Sequence, residues 1–143
     1  MKISTKGRYA LRMMVDLAQN REKGFISLKE ISERQHISKK YLEQIVPVFH
    51  NSRLLMTGRG AQGGYKLAKT PEQITVGDIL RQTEGSLAPV ACLDFDPAGC
   101  DRRAFCPTLF VWQGLNGVIQ NYLDSVTLGD ILDRQEKAPD EKR

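Results

Sequence analysis

The chain has 143 residues, 41% hydrophobic and 27% charged, the composition of a soluble globular domain, and no apolar run approaches the roughly 18 residues that a membrane span requires. Its net charge of +4 is unevenly placed: residues 1–69 hold 14 Lys and Arg against 5 Asp and Glu, and residues 70–143 hold 7 against 12, leaving +9 and −5. A one-sided basic excess is the footprint of nucleic-acid binding, since each neutralised phosphate releases condensed counterions, and the absence of an apolar leader after Met1-Lys2-Ile3 predicts a cytoplasmic chain without export signal or membrane partner.

In chain order, residues 4–19 predict a helix, with Tyr9, Leu11, Met14, Val15, Leu17 and Ala18 at mostly helical spacing and Ser4 or Thr5 as N-cap. Ser27-Leu28-Lys29-Glu30 fits a capping box and opens a short helix from Leu28 to about Arg34. Gln35-His36-Ile37 makes a tight turn, after which Ser38 caps a helix from Lys39 to about Asn51 that turns Tyr41, Leu42, Ile45, Val46 and Phe49 inward. Pro47 falls in its middle and predicts a kink or a shortening. Two short helices around a tight turn, the second opening on polar and basic residues, describe a helix-turn-helix.

Leu54-Leu55-Met56-Thr57 and Tyr65-Lys66-Leu67-Ala68 then flank a glycine-rich tip, Gly58 to Gly64, and read as a β-hairpin, the wing of such a head. The glycines permit close approach to a phosphate or minor groove, with Arg59 supplying the charge. A nucleotide-binding loop is the competing reading, but no Gly-Lys-Ser/Thr follows and no helix opens at its end. Thr75 caps a short helix that ends near Gly85. Residues 86–107, with Pro89, Pro97, Gly99 and Pro107, read as a loop. Beyond it Phe105, Leu109, Trp112, Leu115, Ile119, Tyr122 and Leu123 recur at helical intervals on a helix of about twenty residues, an apolar stripe that needs a second copy of the chain to cover it. Thr127 to Leu132 predicts a last short helix, and residues 135–143 a charged, disordered tail.

The expected fold is mainly α with a small β-hairpin wing: a winged helix-turn-helix head (1–85), a cysteine-containing loop (86–107), a dimerisation helix with a short C-terminal helix (108–134), and the tail. All three cysteines, Cys92, Cys100 and Cys106, fall in the loop or at its end. Asp94, Asp96, Asp101, Arg102 and Arg103 make this segment too polar for a core, and clustered thiols in a reducing compartment point to a soft metal or an iron–sulfur cluster, [2Fe-2S] or [4Fe-4S], which normally takes four protein ligands. Structural zinc and thiol redox catalysis both favour Cys-x-x-Cys, which is absent. His36 and His50 lie in the DNA-reading unit and read as surface or packing residues rather than ligands or bases.

Met1 to Ala10, Ile31-Ser32-Glu33-Arg34-Gln35, Tyr41-Leu42-Glu43-Gln44, Arg59-Gly60 with Gly63-Gly64-Tyr65, the cysteine loop and Thr127-Leu128-Gly129-Asp130 together resemble the Rrf2 family of bacterial winged-helix regulators, most of all its iron–sulfur regulators. The resemblance implies a homodimer that binds operator DNA without catalysing a reaction. It implies that Glu43 and Gln44 meet base edges and that Arg59, with Gly60, enters a groove. Ser4, Thr5, Lys6, Arg8, Ser38, Lys39, Lys40 and Tyr41 would position phosphates. It also implies a cluster held by Cys92, Cys100 and Cys106, with iron–sulfur status, oxidants or nitric oxide as signal. The chain departs from its relatives at the fourth ligand. The iron–sulfur regulators carry a histidine where Leu109 stands, and the nitric-oxide sensors an aspartate where Arg8 stands, so a cluster-free repressor of sulfur metabolism, answering to a partner protein or to thiol oxidation, is the alternative.

Overall fold

Packing is organised around helix α1 (Thr5–Gln19), capped by the Ser4 side chain, which accepts from the Gly7 N–H. The computed structural model describes residues 1–94 and 100–138. Ala10, Met13, Met14, Leu17 and Ala18 are fully buried, so α1 is covered on more than the single stripe expected of it, while Tyr9, Leu11 and Val15 are half-buried at its rim. Helices α2 (Leu28–Gln35), α3 (Lys39–Ile45), α4 (Val76–Glu84) and α6 (Leu128–Lys137) all pack against it.

The helix-turn-helix follows the predicted caps. Ser27 accepts from the Glu30 N–H, and Ser38 from the Tyr41 N–H. Between them His36 closes α2 in the left-handed region, φ 54°. Helix α3 is shorter than expected, because after Ile45 the chain tightens into a 3-10 turn over Val46–Phe49. Pro47 has no N–H to donate to the Glu43 carbonyl, and its ring crowds that turn of an α-helix. Leu42, Ile45, Val46 and Phe49 nonetheless reach the core as expected.

Strands β1 (Leu55–Gly58) and β2 (Gly64–Leu67) pair antiparallel, from Leu55 opposite Leu67 to Gly58 opposite Gly64. Tyr65 also bridges to Ile26, which pins the hairpin to the head. Gly64 sits at φ +149°, where a Cβ would lie 2.3 Å from the Ile26 carbonyl oxygen, so only glycine lets the strand approach this closely.

Helix α5 (Leu109–Ser125) starts later than the apolar stripe suggested. Phe105 lies outside it, in a 3-10 turn that is followed by extended Cys106, the conformation a residue preceding proline favours. The stripe itself divides. Leu123 packs with Val126 beneath Val76, Leu80 and Leu87, whereas Val111, Leu115, Val118 and Tyr122 face outward at spacings of four, three and four. No residue of α5 is fully buried.

Helix α6 packs against α1. Thr127 pairs antiparallel with Thr75, the Leu128 N–H donates to the Ile74 carbonyl, and Leu128 is wholly buried in the core of the head. The C-terminal helix thus belongs to the head by its packing. It runs on to Lys137, into the stretch expected to be disordered, with Thr127 and Asp130 closing a full capping box at its start. The rest of the expected tail, 139–143, lies outside the described residues.

Among the described residues one charged side chain, Asp16, is completely buried. Asp16 accepts from Arg34 Nη2 at 2.7 Å, from Arg34 Nε at 2.9 Å and from Gln35 Nε2 at 3.1 Å. This clamp joins α1 to the C-terminal end of α2, immediately before the turn of the helix-turn-helix. The hydrogen bond to Asp16 also raises the Arg34 pKa. A second pair, Arg81 with Asp124 at 2.7 Å, joins α4 to α5 and is half-exposed on both sides.

Asp16→Ala removes three hydrogen bonds between α1 and α2 while the exposed Arg34 returns to solvent, and is expected to lower unfolding stability by about 2 kcal/mol in urea titration. A loss under about 1 kcal/mol would show that the clamp is not a structural necessity. The hydrogen bond from Arg81 holds the Asp124 carboxyl below its ordinary pKa. Its stabilising contribution is therefore complete above about pH 4 and lost as pH falls through the depressed value. Between about pH 6 and pH 3 the wild type should lose more stability than Asp124→Asn, by less than about 1 kcal/mol because the pair is solvated; parallel pH profiles would contradict this.

Candidate nucleic-acid interface and cysteine loop

The basic residues of the N-terminal half meet through an aromatic joint. Tyr9 of α1 and Tyr41 of α3 pack edge to face with ring centroids 5.5 Å apart. The joint connects the amino-terminal half of α1, which carries Thr5, Lys6 and Arg8, to the start of α3, which carries Ser38, Lys39 and Lys40. Thr5, Arg8, Ser38, Lys39, Lys40, Glu43 and Gln44 are exposed, Lys6 and Tyr41 half-buried. Arg8 is steadied by donating to the Thr5 hydroxyl at 3.0 Å. Ser4 differs from its neighbours: its hydroxyl accepts from the Gly7 N–H and donates to Glu84 Oε1 at 2.6 Å, so it is engaged within the protein.

Arg59 and Gly60 lie at the exposed tip of the hairpin, Gly60 with φ +91°. The strands of the hairpin, as far as Gly58 at their tip end, rest on Phe25. Lys66 Nζ stands 4.6 Å from the centre of that ring, and a Cβ on Gly58 would meet it at 2.8 Å. The wing is thereby held by side-chain packing as well as by its strand pairing.

Several residues of this unit escaped the sequence reading. Arg12 stacks on Tyr9 at 5.2 Å and donates to the Gln35 backbone carbonyl, so α1 holds the helix-turn-helix turn through Arg12 as well as through Asp16. The detectable signal was a carboxylate on the apolar side of α1, with Arg34-Gln35 ending the next helix. A lone acid at such a position requires a cation.

The three cysteines are free thiols. Cys92 lies in a 3-10 turn over Ala91–Leu93 and is half-buried, Cys100 is exposed, and half-buried Cys106 lies three residues before α5. Hydrogen bonding from the Thr108 side chain (Sγ to Oγ1, 3.4 Å), then from the Thr108 and Leu109 backbone, together with the charge of Arg102, lowers the Cys106 pKa. The donors are of the soft type that iron or an iron–sulfur cluster takes. They are not assembled into a site: among the described residues no three Cys, His, Asp or Glu side chains gather as metal ligands. Asp96, one of the loop carboxylates, lies outside the described residues.

No helix among the described residues is long and apolar enough to cross a membrane. Residues 3–134 match the family model described as Rrf2, iron-dependent transcriptional regulator. The chain is 42% identical to the HTH-type transcriptional regulator CymR of Bacillus subtilis over 132 residues, 92% of this chain and 89% of that one. It is 37% identical to the HTH-type transcriptional regulator IscR of Cronobacter sakazakii over 136 residues, 95% and 83% of the respective chains. Among solved structures, T. potens IscR superposes with a TM-score of 0.78 at 43% identity, covering 100% of this chain and 94% of that one. CymR, the global cysteine regulator of B. subtilis, gives a TM-score of 0.75 at 41% identity, covering 94% of this chain and 98% of that one.

Replacing Lys39 and Lys40 together by Ala is expected to weaken duplex DNA binding uniformly across sequences and to flatten the plot of log affinity against log salt by about 1 to 2 in slope. Gln44→Ala should instead cost about 1–3 kcal/mol on the preferred sequence alone. An unchanged salt slope in the double lysine variant would place those ammonium groups away from phosphate.

Proposed function

The chain belongs to the Rrf2 family of transcriptional regulators, and from that premise we propose that it is a homodimeric operator-binding protein whose cysteine loop receives the signal. It is a regulator and not an enzyme, as its relatives are. The observation that carries the DNA reading is the Tyr9–Tyr41 joint, which sets the exposed start of α3 beside the basic amino-terminal half of α1.

In this reading Lys39, Lys40, Lys6 and Arg8 neutralise phosphates, Thr5, Ser38 and Tyr41 add neutral hydrogen bonds, and Ser4 acts indirectly by capping α1. Glu43 accepts from a cytosine amino group, since a carboxylate near phosphates is favourable only if it finds such a donor. Gln44 pairs with adenine, and Arg59 with Gly60 takes the wing into a groove. The outward row Val111, Leu115, Val118 and Tyr122 on α5 is the surface that a second copy covers. Two heads on such a stalk suit a two-fold operator with half-sites about one helical turn apart.

For the signal, the thiols of Cys92, Cys100 and Cys106 would hold an iron–sulfur cluster, which when bound supplies redox and nitric-oxide chemistry. The iron-dependent description of the family and the likeness to T. potens IscR support this. A cluster-free repressor controlled by a partner protein or thiol oxidation is the second reading. It is favoured by equal likeness to CymR and by the lack of a gathered ligand set among the described residues.

Anaerobic purification separates the two. The cluster reading expects a coloured protein with iron and sulfide in near-stoichiometric amount, and loss of both in Cys100→Ala. Colourless protein that still binds a promoter duplex supports the cluster-free repressor, and iron content unaltered in Cys100→Ala removes that ligand assignment.

A further inference from the structure

Glu84 is the last residue of α4, where a carboxylate faces the negative end of its own helix dipole and is locally unfavourable. Its partner lies on another helix. Glu84 Oε1 accepts from the Ser4 N–H at 3.0 Å and from the Ser4 hydroxyl at 2.6 Å. That same hydroxyl accepts from the Gly7 N–H at 3.0 Å, closing the first turn of α1. The carboxylate therefore stands at the positive end of α1, which offsets its poor position on α4.

Gly7 makes the contact possible. It is buried, and a Cβ there would lie 2.2 Å from Glu84 Oε1 and 3.1 Å from Thr83 Oγ1. One turn earlier on α4, Arg81 binds Asp124 and Gln120 of α5, and Gly77 leaves room for that carboxylate in the same way, its Cβ position being 2.2 Å from Asp124 Oδ1. Immediately after Glu84 the chain turns at Gly85, φ 71°, into the segment that carries the cysteines. Helix α4 is thus fastened to the stalk helix at Arg81 and to the DNA-facing end of α1 at Glu84, with the cysteine loop leaving from its end.

We infer that Glu84 is a positioning residue for DNA binding: by holding Ser4 it keeps the first turn of α1 closed, so that Thr5, Lys6 and Arg8 present their phosphate-binding groups together. The inference deepens the operator-binding reading and rests on it. Glu84, the residue before Gly85, thus connects the start of the cysteine-bearing segment to the first turn of α1.

The test uses the full-length dimer and a duplex selected by the wild-type protein from a random-sequence pool. Glu84→Ala and Gly7→Ala, which removes the carboxylate or pushes it aside, are each expected to weaken binding of that duplex about tenfold, with unfolding transitions confirming folded protein at the assay temperature. Glu84→Gln keeps an acceptor oxygen and is expected to stay within about threefold of wild type. Ser4→Ala combined with Glu84→Ala should lose less than the sum of the two single losses, because both remove the hydroxyl–carboxylate bond while each removes one further bond of its own. Loss of the negative charge by itself would strengthen binding to DNA, so weakening in Glu84→Ala reports position and not charge. Wild-type affinity in folded Glu84→Ala, or additive losses in the double variant, would overturn the inference. A wild-type protein that selects no duplex would overturn the operator-binding reading itself and this inference with it.

Discussion

A carboxylate with no solvent exposure, on a helix otherwise packed by Ala10, Met13, Met14 and Leu17, is the constraint from which the head takes its geometry. A buried carboxyl group is costly unless hydrogen-bond donors are brought to it. Arg34 and Gln35 supply three hydrogen bonds from the last turn of α2. With that end of α2 fixed against α1, His36 turns the chain in a left-handed conformation and Ser38 starts α3. Hydrophobic packing alone is non-directional and tolerates small rotations of one helix on another. A bidentate arginine–carboxylate pair does not, because both N–H groups must meet their oxygens at once. The angle at which α3 leaves the body is therefore set by a polar contact on its far side, and Arg12, between Tyr9 and Gln35, extends that contact to the surface.

The same logic recurs at lower burial along α4. Its apolar residues Ile79 and Leu80 fill the core, while Arg81 and Glu84 reach in two directions, to α5 and to the start of α1. Each contact lies beside a glycine whose missing side chain leaves space for a carboxylate, Gly77 for Asp124 and Gly7 for Glu84. Burial provides the bulk of the stability, and a few directional contacts fix how α4 sits against α1 and α5.

Much of this was legible in the sequence where local chemistry acts alone. Ser4, Ser27, Ser38, Thr75 and Thr127 each cap the helix that their neighbours predict, and the glycine-rich tip of the hairpin falls where the alternating segments place it. Long-range arrangement was less visible. Pro47 predicts a kink or a shortening, and of the two the chain takes the shortening, tightening into a 3-10 turn after Ile45; a proline reveals a lost hydrogen bond but not how the chain repairs it. The apolar stripe of α5 was read as one face, yet Leu123 turns inward while Leu115 and Tyr122 turn out, because a broad stripe on one helix does not reveal how it is shared between the molecule's own core and a second copy. Helix α6 is legible as a short helix from Thr127, but the pairing of Thr127 with Thr75 that packs it on the head is not. Asp16 and Glu84 went unread for a common reason: each is an acid in a locally poor position, and its partner lies 18 and 80 residues away respectively. The cysteines were evident as a group, but spacing along a loop does not determine whether three sulfurs converge.

The central claim is that two such heads, joined through α5, read successive grooves on one face of a duplex. Hydroxyl-radical footprinting of the dimer on a duplex that it has selected tests this most directly. The account predicts two protected patches related by a two-fold axis and centred about one helical turn apart, roughly 34 Å. A single protected patch, or protection without two-fold symmetry, would contradict it.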